Sequence, residues 1–87
     1  MSDRDKWKEF DLAESSLIIL ISYYSEIIYE EQHKNTPDSE KIGAWKAERR
    51  ALELVKRGLD PENQFGNANI SAKYGEAARA ALQKHKP

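Results

Sequence analysis

Glu30 and His33 are the residues of this chain whose types and spacing come closest to a metal site, because they form a Glu-x-x-His pattern. Helix bundles use this spacing to present a carboxylate and an imidazole to a di-metal centre. Glu26 lies one turn earlier on a similar face. The pattern has no second copy, however, and it falls at the polar end of its helix, pointing away from the main apolar seam. We therefore interpret it as a solvated helix end and expect no metal and no cofactor.

A basic helical face is the second group of residues that could have a chemical function, since it could contact phosphates. Glu53 lies among its cations at helical spacings, so ordinary surface ion pairing is the stronger interpretation. The chain is also not basic overall, with 14 basic and 15 acidic residues and a formal charge of -1. A small nucleic-acid-associated regulator is therefore only the alternative function. The face comprises Lys46, Arg49, Arg50, Lys56 and Arg57.

The sequence contains no arrangement that indicates catalysis. There are no cysteines, which excludes disulfides and thiolate chemistry and suits a reducing compartment. Four serines lie along the first predicted helix without an identifiable base, so they are interpreted as surface or packing residues. We expect a non-catalytic protein with no catalytic residues. The four serines are Ser15, Ser16, Ser22 and Ser25.

Length and composition predict one folded domain over residues 1–87, because 39% of the residues are hydrophobic and these are clustered along the chain. The charged N-terminal stretch has no apolar signal core. The apolar run Leu17–Ile21 is shorter than the roughly 20 residues that a bilayer requires. We therefore expect a cytoplasmic protein that does not associate with membranes.

Hydrophobic periodicity predicts three helices in an all-α fold. The first is predicted over about residues 11–34, or from about residue 6 if its charged start is also helical. The second is predicted over about residues 39–57, between a cap at Asp38 or Ser39 and a C-terminal cap at Gly58. The third is predicted over about residues 70–84, after a stretch rich in turn formers, with flexible termini at both ends of the chain. A short first connection predicts an antiparallel hairpin, completed by the third helix as a three-helix bundle.

The first helix carries more apolar side chains than one neighbouring helix can cover. On a wheel of about 100° per residue, its apolar arc spans about 200°. Because the other two helices each offer one seam, we expect the first helix to lie between them. The second contributes Ile42, Trp45, Leu52, Val55 and Leu59, and the third contributes Ile70, Tyr74, Ala77, Ala78, Ala81 and Leu82.

Leu12, Ile19 and Tyr23 lie outside even this wide arc, at the back of the first helix. We predict that they form a surface for self-association, since a symmetric homodimer is the commonest way to bury such a face. A different protein partner and simple exposure are the two alternatives. The expected function is a small helical interaction protein that acts as an adaptor, inhibitor or accessory factor. Neither the partner nor the biological process follows from the residues.

Overall fold

All the regular secondary structure in the described part of the chain is helical. A computed structural model describes the backbone of residues 3–84 and the side chains of residues 7–84. Helix α1 spans Asp3–Gln32, α2 spans Ser39–Arg57 and α3 spans Gln64–Lys84. The prediction of an all-α, three-helix chain is confirmed, whereas the expected flexible termini lie outside the described residues.

Both predicted caps of α2 are present. The Asp38 carboxylate accepts hydrogen bonds from the backbone N–H groups of Glu40 and Lys41, at 3.1 and 3.2 Å. This satisfies two of the donors that a helix N-terminus leaves without intrahelical partners. Gly58 closes the other end by donating its N–H to the carbonyls of Leu54 and Val55. Its φ of -84° is right-handed, so this cap does not use the left-handed conformation that glycine permits.

Helix α3 begins at Gln64, earlier than the predicted start near residue 70. The residues interpreted as a loop contain the helix cap itself, because Asn63 accepts a hydrogen bond from the Gly66 N–H at 3.0 Å. The Asp60 carboxylate accepts the Glu62 N–H at 2.9 Å and forms the preceding turn. Turn formers are also helix-capping residues, so composition alone placed the boundary too late. Helix α1 likewise starts earlier than predicted, at Asp3, and ends at Gln32.

Helix α1 lies at the centre of the fold, packed against both α2 and α3. The predicted central position of α1 is confirmed. No Cα of α2 lies within 8 Å of a Cα of α3, so the outer two helices flank α1 without touching each other's backbones. The core is small: among residues 7–84, three of the seven buried apolar residues are alanines, which contribute little area each. These residues are Ala13, Leu17, Leu20, Ile28, Leu52, Ala78 and Ala81.

The arrangement produces a flat molecule, with principal dimensions of 54 × 26 × 14 Å. Its radius of gyration is 14.9 Å, whereas a compact domain of this length has a value of about 12 Å. The smallest dimension, 14 Å, is about half of the middle one. The fold is therefore close to a single layer of helices, and a layer leaves part of its central helix uncovered.

Candidate interaction surface

The uncovered side of α1 carries apolar and small residues along more than two turns of the helix. We call this surface the outer face. Leu12 and Ile18 on α1 are 47% and 44% exposed, and Leu82 on the neighbouring α3 is 55% exposed. Ile19 is half-buried between them, and the two serines on the same side are exposed. The outer face comprises Leu12, Ser15, Ile18, Ile19, Ser22 and Leu82.

Two adjoining depressions follow the junction of α1 and α3 across the outer face. One has a volume of about 300 Å³ and lies against Ile18, Ser22 and Tyr23. The other, of about 370 Å³, lies against Leu12, Ser15 and Gly75. Ile19 and Leu82 border both depressions. Exposed aliphatic side chains therefore alternate with depressions along this surface. Helices pack together by placing the side-chain ridges of one helix into the grooves of the other.

The structure places the three predicted surface residues in two different environments. Leu12 is exposed, as a surface residue must be. Ile19 and Tyr23 are half-buried and pack against the core cluster that contains Ala78 and Ala81 of α3. Tyr23 also contacts Tyr24 edge to face, with ring centroids 5.6 Å apart. Binding at these residues stays a prediction. Part of the Tyr23 side chain is already buried against the core of its own chain.

Ile18 and Leu82 are the exposed residues of this surface that the sequence reasoning missed. Leu82 was counted in the core of α3, yet more than half of it is exposed. On the helical wheel, Leu17 lies at the centre of the apolar arc of α1 and Ile18 lies near its edge, about 100° away. A helical wheel gives the direction of each side chain from its own axis, but not how far the neighbouring helices reach around it. The structure leaves Ile18 44% exposed and Leu17 fully buried.

The five basic residues of α2 do not form one uniform surface. Arg49 donates from Nη1 to the Ser25 hydroxyl of α1 at 3.1 Å, so it contributes to helix packing. Lys56 and Arg57 border a depression of about 370 Å³ beside Ile18 and Ser22. Two further cations, Lys46 and Arg50, are exposed. Phosphate binding by these five residues stays a prediction.

Glu30 and His33 are exposed, and the imidazole of His33 is engaged locally. The His33 ring stacks on Tyr29 with centroids 4.0 Å apart, and Nδ1 lies 2.8 Å from the Tyr29 carbonyl oxygen. Among the described residues, no three His, Asp or Glu side chains are grouped closely enough to hold a metal ion. The Glu-x-x-His pattern thus has no third ligand from this part of the chain.

Glu31 is the buried carboxylate of the corner that joins α1 to α2, with only 6% of its side chain exposed. One oxygen accepts from Lys34 Nζ at 2.9 Å, and the other accepts the Asp38 N–H at 3.0 Å. The hydrogen bond from Lys34, followed by that from the Asp38 backbone, lowers the pKa of Glu31. The same contact raises the pKa of Lys34. Sequence reasoning missed this residue, because nothing local distinguishes Glu31 from Glu30.

Within Trp7–Gln32 of helix α1, an 18-residue stretch meets the length and composition criteria for a membrane span, with a mean hydropathy of 1.2. About a quarter of this stretch, 28%, is buried against the other helices. Core helices of soluble proteins meet the same criteria, so the finding is weak and leaves the location of the protein a prediction.

Comparison with known proteins found no relative of this chain. No protein-family model matches the chain, and no curated protein or solved structure matches it either.

Proposed function

We propose that this chain is a non-catalytic helical interaction module that self-associates through the outer face of α1. The observation that carries the proposal is the row of exposed Leu12, Ile18 and Leu82 around the half-buried Ile19. Soluble monomers tolerate single exposed aliphatic side chains, but a contiguous patch with hollows marks a binding surface. The occupant that we propose is a second copy of this chain.

The positions of the two flanking helices support the proposal, because together they leave one side of α1 exposed. We infer that α1 and α2 form an antiparallel hairpin, since Glu31 meets Asp38 at the corner and Arg49 reaches back to Ser25. Helix α3 covers a second side of α1, where Glu9 accepts a hydrogen bond from Ser71 at 3.3 Å. Helix α3 reaches the edge of the outer face at Leu82, and the two flanking helices leave Leu12 and Ile18 nearly half exposed.

The chain exposes enough surface to supply an interface of ordinary size. The chain exposes 6279 Å², whereas a compact monomer of 10.0 kDa exposes about 5,200 Å². The excess is comparable to the roughly 800 Å² that each partner buries in a standard protein interface. A formal charge of -1 also adds little repulsion between two copies.

Light scattering after size-exclusion chromatography, over a hundredfold range of concentration, tests self-association directly. We expect a mass twice the 10.0 kDa of one chain at high concentration. A mass of one chain throughout the range would overturn the proposal.

Paired variants identify the surface. Leu12→Asp and Ile18→Asp each place a charge on the outer face, so we expect a loss of the dimer without a large loss of helix content. The matched control is Leu54→Asp, because Leu54 is 50% exposed on α2, away from the outer face. A dimer that survives both outer-face variants, or is lost in the control, would contradict this assignment.

A further inference from the structure

One row of residues on α1 repeats with the spacing by which coiled coils form their contact seam. Starting at Lys8, the intervals alternate between four and three residues along the uncovered side. Alternation of four and three keeps every member on one stripe of a helix, with the spacing of the a and d positions of a heptad. Leu12 and Ile19 are the apolar members of this row, and the other members are polar or charged. We call this row the seam. It comprises Lys8, Leu12, Ser15, Ile19, Ser22 and Glu26.

We propose, on the basis of the self-association proposed above, that the two α1 helices pack antiparallel along the seam. The twofold axis then passes at the level of Leu17. In this register, two residues face each other when they lie equally far from Leu17 along the chain, one on each side. The seam residues form three such pairs. Leu12 faces Ser22 of the second copy, and Ser15 faces its Ile19. Lys8 faces Glu26 at both ends of the contact.

Side-chain volume favours this orientation. Each large aliphatic side chain faces a serine of the other copy, and the small serine side chain leaves room for it. In a parallel pair in register, Leu12 would face Leu12 and Ser15 would face Ser15. Layers with two large side chains would then alternate with layers that contain only two small ones. The interior of a protein interface is packed to nearly uniform density, and gaps of this kind cost contact energy. The antiparallel register distributes the volume evenly.

Charge favours the same orientation. Lys8 and Glu26 lie at opposite ends of the seam, and both are exposed. Antiparallel packing places a cation against a carboxylate at each end. Parallel packing in register places Lys8 against Lys8 and Glu26 against Glu26, and like charges across a helix contact are destabilising. Volume and charge therefore each favour the antiparallel register over the parallel pair in register.

Single-cysteine variants test the orientation, because the natural chain contains no cysteine. Leu12→Cys and Ser22→Cys proteins are mixed in equal amounts, refolded together and oxidised with a glutathione buffer. The antiparallel register brings residue 12 of one copy to residue 22 of the other. It separates the two copies of residue 12 by about 15 Å along the axis, at about 1.5 Å per residue. A disulfide requires Cα atoms within about 7 Å of each other.

Mass spectrometry of the products distinguishes the possible outcomes. We expect the mixed disulfide between the two variants to exceed its statistical share, with few symmetric dimers. Mixing Leu54→Cys with Ser22→Cys is the control and should show no such excess. An excess of symmetric disulfides within each variant would overturn the antiparallel orientation while leaving the proposed self-association intact.

Charge reversal provides a second test that introduces no covalent bond. Lys8→Glu and Glu26→Lys should each weaken association about tenfold at low ionic strength, because both ends of the seam then carry like charges. The double variant restores opposite charges at both ends and should recover the natural affinity. Thermal unfolding of each variant at low concentration checks the protomer itself. Single variants that associate as tightly as the natural chain would contradict the proposed pairing.

Discussion

At the scale of single residues, the corner between α1 and α2 depends on one buried carboxylate. Glu31 accepts hydrogen bonds from the Lys34 ammonium, three residues later in the chain, and from the backbone N–H of Asp38, which itself caps α2. A hydrogen bond to an ionised group is stronger than one between neutral groups. The ionised form of Glu31 therefore ties the end of α1 to the start of α2.

This contact makes stability depend on pH in a defined direction. The pKa of Glu31 lies below its usual value of 4.5 in the folded chain. Its contribution to stability is therefore fully present above that usual value, and it is lost as the pH falls through the lowered value. We expect Glu31→Gln to lower the free energy of unfolding at pH 7 and to lower it less at pH 3.

Urea denaturation at the two pH values measures this difference, with Glu30→Gln as the matched control. Glu30 is the exposed neighbour of Glu31 in the chain. An equal loss of stability in both variants, or a loss for Glu31→Gln that persists unchanged at pH 3, would show that the corner does not depend on the ionised carboxylate.

At the scale of helices, the start of α3 depends on a polar residue inside the fold. Asn67 is only 1% exposed, and its side-chain Nδ2 donates to the Asp60 carbonyl at 2.8 Å. Its backbone N–H donates to the Asn63 carbonyl at 2.9 Å. These bonds hold the turn after α2 against the first turn of α3. A buried amide in this position specifies where α3 begins relative to α2.

Asn67→Asp keeps the shape of the side chain but replaces the donor with a carboxylate beside a carbonyl oxygen. We expect a loss of about 2–3 kcal/mol in the free energy of unfolding at pH 7, because a charged group is then buried without its hydrogen bond. The control is Asn69→Asp, an exposed position two residues further along α3. Equal unfolding midpoints for the two variants would contradict this role of Asn67.

At the scale of the whole molecule, the flat shape and the small core have the same cause. Helix α3 presents alanines to α1, which allow close approach but bury little apolar area. The Cα atoms of α2 and α3 stay more than 8 Å apart, so no close backbone contact joins the two outer helices. A chain of 87 residues is near the size at which one core is only just sufficient. Burial in a second copy would supply the missing area.

Stability should therefore depend on protein concentration. If folding is coupled to self-association, mass action stabilises the dimer as concentration rises. We expect a hundredfold dilution to lower the thermal midpoint by roughly 5–10 °C. Circular dichroism of the natural chain and of Leu12→Asp measures this, and the variant should show no dependence. A midpoint of the natural chain that does not change with concentration would argue against coupling between folding and association.

Local patterns in the sequence determined most of the helical architecture. Apolar periodicity indicated three helices with α1 in the middle, and Asp38 and Gly58 marked the ends of α2, because a cap depends only on residues within one turn. The start of α3 was misplaced, since Asp60 and Asn63 favour turns and helix caps alike. Periodicity and capping chemistry are short-range, and the sequence displays them directly.

Only the tertiary structure decided which part of the apolar arc of α1 stays open. Ile19 and Tyr23 pack partly against α3, whereas Ile18 and Leu82 are left exposed, and no local pattern separates these pairs. The position of a neighbouring helix depends on the sum of its contacts over many turns. Glu31 and Asn67 became identifiable for the same reason, because their partners lie across a turn of the chain. Long-range packing therefore defines the surface through which we propose that this protein acts.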